Sequence, residues 1–216
     1  MFDNPQSPVG LALSHLAAAR EQLRDVDWAT LGRDELLELL TALEVDARRR
    51  AAVGYAVVAE LEARGVAAEL GCASTAVLLS ERLRIGRREA AGRVRLAVEL
   101  GPQRALSGEL LPARFPDVAA AVADGAICDR HAALICRTID GLPDAVLEQA
   151  GAVEATLVEH ARTLNPDQLA VLTRTVRACL DPDGVLACRT GPGPASARHP
   201  SDLAGRVGPV AGVSDR

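Results

Sequence analysis

The most regular pattern of apolar residues lies in the first third of the chain. From Leu36 onward, apolar side chains recur at alternating intervals of four and three residues, the period of one face of an α-helix. The pattern predicts a helix over about residues 33–64, which Gly65 ends as a C-terminal cap. We call its main apolar positions the seam: Leu36, Leu40, Leu43, Val57 and Leu61.

Two interpretations of this long helix remain open. Arg50 and Gly54 interrupt the middle of the stripe, so the simpler interpretation is a long helix that packs against its own domain. The alternative is a homodimer, in which the seam pairs with a second copy as in a coiled coil.

Shorter helical patterns follow, and two of them are pairs of helices joined by a short turn. Ser74 can cap a helix that ends at about residue 82, and a second helix is predicted over residues 87–100. A similar pair flanks Gly125, with a helical apolar stripe on each side of the break. The other predicted helices cover residues 9–24, 144–163 and 165–180.

Composition favours an all-α fold. The chain of 216 residues is 49% apolar but only 2% aromatic, so Ala, Leu and Val must build the core as helix formers or small filling residues. We predict a flexible N-terminus at residues 1–8 and one multi-helix domain over residues 9–184, with the long N-terminal helix and two helix-turn-helix-like pairs. Residues 185–216 are rich in Gly, Pro and Ser, so we expect a disordered tail.

The sequence predicts a cytoplasmic protein with no membrane partner. No apolar run approaches the roughly 20 residues of a membrane-spanning helix, and the N-terminus lacks the basic start and long apolar core of a signal peptide. The five cysteines form no Cys-x-x-Cys pair, which fits reduced thiols rather than a disulfide framework.

Positive charge is concentrated in one segment. The formal net charge is −5 and every basic residue is an arginine, yet residues 84–95 contain five arginines and a single acid. Arg87, Arg88 and Arg95 project to one side of the predicted helix, and Arg84 in the preceding turn can join them. Arginines on the second helix of such a pair can contact phosphates or the edge of guanine. This arginine cluster is therefore the candidate nucleic-acid-binding site, with duplex DNA as partner; the alternative is a solvated surface.

The absence of recognised catalytic motifs predicts a non-enzymatic protein. The sequence has no Gly-x-Ser-x-Gly elbow, phosphate-binding glycine loop, His-Glu-x-x-His motif or zinc-finger spacing. Cys128, His131 and Cys136 lie on one predicted helix, but Cys136 belongs to its apolar stripe and no fourth ligand is evident. We therefore expect no catalytic residue, no metal and no cofactor.

A series of short segments occurs in a characteristic order, at residues 61–65, 71–74, 83–90, 94–97, 111–112, 123–132 and 180–184. The series resembles the actinobacterial domain-of-unknown-function-222 family, known in mycobacteria as the 13E12-repeat family, over about residues 10–184. It departs from that family at Leu78-Leu79, where a tryptophan often precedes the leucine, and at Cys128, where a capping serine is common.

The resemblance implies a role near DNA. Members of this family typically continue past the Asp-Pro-Asp-Gly segment at 181–184 into an HNH nuclease domain, and they are associated with mobile elements. The sequence after Gly184 does not show that motif, and its Arg/Gly/Pro/Ala mixture is what a shifted reading frame in GC-rich DNA would produce. The resemblance thus implies a truncated, non-catalytic, DNA-associated module. The alternative is a helical oligomerisation or protein-interaction module without a nucleic-acid role.

Overall fold

The fold is an assembly of α-helices of very different lengths. The computed structural model describes residues 6–104 and 107–180. Within them, the helices are α1 (Pro8–Arg24), α2 (Arg33–Ala63), α3 (Val66–Glu69), α4 (Thr75–Leu83), α5 (Arg87–Leu100), α6 (Pro116–Ala123), α7 (Asp129–Asp140), α8 (Ala150–Ala161) and α9 (Pro166–Leu180). Short 3₁₀ helices occur at Trp28–Thr30 and Asp144–Gln149.

Local capping chemistry sets most of these boundaries. The Ser74 hydroxyl accepts a hydrogen bond from the Val77 amide at 3.3 Å and starts α4. The Asn165 side chain accepts hydrogen bonds from the amides of Asp167 and Gln168, both at 3.0 Å, at the start of α9. Gly65 follows α2 with a φ of 66°, a left-handed conformation that glycine adopts without steric cost.

The all-α prediction is confirmed, including the long helix and both helix-turn-helix-like pairs. Two local features differ from it. Residues 144–149, predicted as α-helix, form a 3₁₀ helix that leads into α8. A two-stranded antiparallel ladder, β1 (Gln103–Arg104) with β2 (Leu110–Leu111), joins α5 to α6. The predicted disordered tail at residues 185–216 lies outside the described residues, as do residues 1–5.

The hydrophobic core lies in the second part of the chain, residues 45–180, which we call the body. Helix α7 is its centre: Ala132, Ile135 and Cys136 are completely buried, and the helix packs against α5, α6, α8 and α9. Helix α2 joins the body only from about Val45 onward, and Tyr55 and Val58 are its buried residues. The long helix therefore packs on its own domain through about three fifths of its length.

The turn between α6 and α7 is held by α2. Gly125 has a φ of 74°, and a Cβ atom there would lie 2.7 Å from the Val45 carbonyl oxygen. The Arg48 guanidinium donates to the Ala126 carbonyl at 3.2 Å, and Arg49 donates to the Asp124 carbonyl at 3.0 Å. These contacts satisfy carbonyls that the end of α6 leaves free, so α2 and the α6–α7 pair form one packed unit.

The first part of the chain, residues 8–44, has no buried residue. We call it the arm; it contains α1, the 3₁₀ helix at Trp28–Thr30 and the first three turns of α2. Helix α1 packs extensively against no other helix among the described residues. The large apolar side chains that the arm exposes are Val9, Leu11, Leu13, Leu16, Trp28, Leu36, Leu37, Leu40 and Leu43.

Candidate functional site

The α4–α5 pair presents the arginine cluster at its turn. Helix α4 ends at Leu83, and α5 begins at Arg87 after three residues. The Ser80 hydroxyl donates to the Ile85 carbonyl at 2.8 Å and fixes this turn. Gly86, the residue before α5, has no side chain to cap the helix. The first amide groups of α5 are thus open toward solvent, where an anion is favoured by the helix dipole.

Three arginines of the cluster are exposed at this end of α5. Arg84, Arg87 and Arg88 form no ion pair with any described residue. Arg95 lies two turns further along, exposed, with its Nε 3.8 Å from the Glu99 carboxylate. The only acid in residues 84–95, Glu89, is engaged by Arg93 at 2.7 Å. The structure therefore brings Arg84, Arg87 and Arg88 together, with Arg95 roughly 12 Å along the helix from Arg87.

Arg84 has an unusual backbone conformation. Its φ is 57°, and among the described residues it is the one non-glycine residue with positive φ. A left-handed conformation costs an L-residue about 1–2 kcal/mol, and glycine would avoid that cost. Arg84 is the C-cap of α4, and a left-handed residue is a common way for a helix to end. Glycine is the usual residue in this conformation, so the backbone does not require an arginine at this position.

The second helix-turn-helix-like pair, α6–α7, has a different surface. Arg130, near the start of α7, is paired with Asp167 of α9 at 2.6 Å. Its neighbour Asp129 is acidic, and the turn before α7 is covered by Arg48 and Arg49 of α2. At this turn Arg130 is neutralised by Asp167 and the α2 arginines are bonded to the turn's carbonyls, so the α4–α5 turn presents the larger group of arginines that carry no such contacts with described residues.

The seam predicted on α2 is exposed along most of its length. Leu36 and Leu43 are exposed, Leu40 is 66% exposed and Val57 is 57% exposed, whereas Leu61 is half-buried. The structure therefore places these residues on one face of α2 without covering that face with the chain's own body.

A groove of about 950 Å³ runs beside the second half of the seam. One wall is the α2 face that carries Gly54, Val57 and Leu61, and the opposite wall comes from α3 and α4. Sequence reasoning missed this groove, because it depends on the angle at which α2 meets α3 and α4, and a helical pattern does not specify that angle. Its remaining apolar lining includes Val66, Leu70, Leu78 and Leu83, and arginines Arg50, Arg82 and Arg93 also contribute.

Cys128 and His131 form a hydrogen-bonded pair at the start of α7. The Cys128 Sγ lies 3.4 Å from His131 Nδ1, and His131 Nε2 lies 3.0 Å from the Leu164 carbonyl oxygen. The hydrogen bond with His131, aided by backbone amides of Arg130 and His131, lowers the pKa of the Cys128 thiol to about 7. Cys136 lies apart from this pair in the core, where burial raises the pKa of its thiol. Among the described residues, no group of three His, Cys, Asp or Glu side chains could hold a metal ion.

The other strongly perturbed groups are built into the packing. The buried Glu154 carboxylate of α8 accepts hydrogen bonds from the amides of Asp117 and Val118, at 2.9 and 3.0 Å, and so caps α6. Burial raises the pKa of this carboxyl. Burial also raises the pKa of Glu99, whose Oε2 atom has no hydrogen-bond partner among the described residues. These contacts could not be predicted from the sequence, since the Glu154 cap spans 36 to 37 residues.

Comparison with known proteins places the chain among uncharacterized relatives. A family model described as Domain of unknown function (DUF222) matches residues 37–199, a range that runs past Gly184. The uncharacterized protein Rv1128c of Mycobacterium tuberculosis is 34% identical over 174 residues, which are 80% of this chain and 38% of that protein. The uncharacterized protein Mb1179c of Mycobacterium bovis is 35% identical over 185 residues, which are 85% of this chain and 40% of that protein.

The chain spans about two fifths of the length of the curated relatives it matches. No solved structure matches it at a significant level. Across residues 6–104 and 107–180, no helix is long and apolar enough to cross a membrane.

Proposed function

We propose that this chain, which belongs to the Domain of unknown function (DUF222) family, is a non-catalytic, cytoplasmic module that associates with duplex DNA through the arginine cluster. The observation that carries the proposal is the group of three exposed arginines, Arg84, Arg87 and Arg88, at the turn of a helix-turn-helix-like pair. They lie where the second helix of such a pair begins, which is the part that contacts DNA in known helix-turn-helix proteins.

Electrostatics supports a local contact rather than a general one. The chain carries a net charge of −5, so its overall field does not favour a polyanion. Arg84, Arg87 and Arg88 form no ion pair with a described residue and lie beside the uncapped start of α5, and both features attract phosphate. A small number of phosphate contacts predicts modest affinity that falls with added salt.

Three of the perturbed ionisable groups are used in packing. Glu154 caps α6, and Tyr55 and Cys136 are held in the core. Burial raises the pKa of each of these three groups. The shifts of these three groups therefore have a structural cause and need no catalytic role.

Fluorescence anisotropy with labelled duplex DNA tests this function. We expect binding at low salt, and we expect Arg87→Ala/Arg88→Ala to weaken binding and reduce its salt dependence. The control is Arg174→Ala on α9, an exposed arginine whose Nε bonds the Ala170 carbonyl of its own helix. Absence of binding at low salt, or equal affinity of the double variant and the wild type, would contradict the proposal.

Arg84→Gly separates binding from folding. Glycine relieves the left-handed backbone, so we expect the free energy of unfolding to stay constant or rise by up to about 1 kcal/mol. The same substitution removes one cluster charge, so DNA binding should weaken. A variant that is no less stable than the wild type and yet binds DNA less tightly would show that the arginine is kept for binding.

Self-association is the second candidate function, and the exposed seam favours it. Leu36, Leu40 and Leu43 lie on a stretch of α2 with no buried residue. Exposed apolar side chains that lie next to one another on a surface are characteristic of protein interaction sites. Sedimentation velocity over a range of protein concentrations tests this candidate, and a concentration-independent monomer would remove it.

A further inference from the structure

We propose that two copies of this chain form a two-fold, antiparallel dimer along α2, in which the arm leucines of each copy occupy the groove of the other. This inference rests on the self-association proposed above and specifies its partner, polarity and register. Three properties of α2 support it: the shapes of its two halves, their charges, and the sizes of the side chains along its apolar stripe.

The two halves of α2 have complementary shapes. The first half projects Leu36, Leu40 and Leu43 into solvent, and the second half forms one wall of the groove with Val57 and Leu61. Both sets belong to the same helical stripe. A two-fold interface uses the same patch on both subunits. The projecting leucines of each copy can therefore fill the groove of the other, so that the contact forms twice in one dimer.

The charges of the two halves also favour the antiparallel arrangement. Residues 33–46 contain five acids and one arginine, whereas residues 48–64 contain four arginines and two acids. Arg48 and Arg49 bond the α6–α7 turn of their own chain, so Arg50 and Arg64 are the exposed arginines that remain for a partner. An antiparallel pair places the acidic first half of each helix beside the second half of its partner. A parallel pair would place acidic beside acidic and basic beside basic, which costs free energy and selects against that arrangement.

The two residues that interrupt the stripe fit the antiparallel register. The intervals of four and three residues are the same when counted forward from Leu36 or backward from Leu61. Pairing the ends in this way sets Gly54 opposite Leu43 and Arg50 opposite Ala47. A parallel dimer would instead set Arg50 against Arg50 and Gly54 against Gly54, a like-charge contact next to a void. The resulting contacts are Leu36 with Leu61, Leu40 with Val57, Leu43 with Gly54, and Ala47 with Arg50.

A matched pair of α2 variants tests the surface. Leu40 and Val53 are both 66% exposed, but only Leu40 belongs to the seam. We expect the full chain to sediment as a dimer, Leu40→Asp to shift it from twice the chain mass to the 22.6 kDa monomer, and Val53→Asp to leave it dimeric. Equal effects of the two variants would overturn the assignment of the surface.

Cross-linking tests polarity and register. Chains carrying Leu40→Cys and Val57→Cys are mixed, treated with a short bismaleimide, and the linked peptides are identified by mass spectrometry. We expect the 40–57 link to be the main engineered product, and a mixture of Leu40→Cys with Val53→Cys to lack its 40–53 counterpart.

The outcomes separate the inference from the function on which it rests. A dimer that yields mainly 40–40 links would overturn the antiparallel arrangement and leave self-association standing. A monomer at every concentration would overturn both. A dimer that yields the 40–57 link supports both.

Discussion

The arm and the body carry apolar residues at the same helical spacing, but only the body buries them. In α7, Ala132 and Ile135 are completely buried by the surrounding helices. In the first turns of α2, Leu36 and Leu40 are exposed although their periodicity is just as regular. An apolar stripe thus defines which side of a helix is suited to packing, but it does not define which element packs against that side.

The largest expected difference between the two regions comes from truncating one leucine in each. Leu157 of α8 is 0% exposed and Leu40 of α2 is 66% exposed. We expect Leu157→Ala to lower the free energy of unfolding by about 3–5 kcal/mol, because it leaves a cavity in the core. Leu40→Ala should change the monomer's stability by no more than about 0.5 kcal/mol. Urea denaturation at low protein concentration measures both changes. Similar losses of unfolding free energy in the two variants would contradict the difference between a buried body and an exposed arm.

A pair of glycine variants tests how tightly the body is fitted onto α2. Gly125 and Gly65 both have positive φ, but only at Gly125 would an added Cβ meet the α2 backbone. Gly65→Ala should cost about 1–2 kcal/mol for its backbone conformation. Gly125→Ala should cost roughly 2–4 kcal/mol, since overpacking adds to the same term. Thermal or chemical denaturation decides, and equal costs would mean that the α6–α7 turn can move away from Val45.

A smaller effect is expected from the buried carboxylate of Glu99. Its folded-state pKa is raised, chiefly by burial, in a site that also contains Cys136, Arg95, Asp140 and Arg114. A raised pKa favours the protonated form in the folded state, so this contribution is fully present below the unfolded pKa and is lost as the pH rises through the folded value.

Glu99→Gln imitates the protonated form and removes this titration. We therefore expect the variant to gain stability relative to the wild type as the pH is raised from about 4 to 7. Unfolding free energies of both proteins across that range measure the difference. A difference that does not change with pH would show that Glu99 titrates normally in the folded protein.

Helix boundaries were predictable because they depend on nearby residues. The long helix was predicted over residues 33–64 and is found at Arg33–Ala63, where Gly65 supplies the stop. Ser74 and Asn165 cap their helices through side chains two or three residues from their partners. Such signals are contained in a few consecutive residues, so they can be recognised in a single sequence.

The candidate sites were predictable only in part. The arginine cluster follows from sequence spacing, but the left-handed conformation of Arg84 and the pairing of Arg130 with Asp167 depend on tertiary structure. The Glu154 cap joins elements that are far apart in the chain, and the α2 groove depends on the angle at which α2 meets α3 and α4. The exposure of Leu40 could not be predicted from the sequence either, since a coiled-coil helix and a helix packed on its own domain show the same apolar pattern.

We expect the body to fold on its own and the arm to be completed by a second copy. Amide hydrogen exchange of the full chain at increasing protein concentration can distinguish the two regions, because exchange reports local stability region by region. We predict that protection of residues 33–44 rises with concentration while protection of α6 and α7 stays constant. Protection of residues 33–44 that is the same at every concentration would contradict the claim.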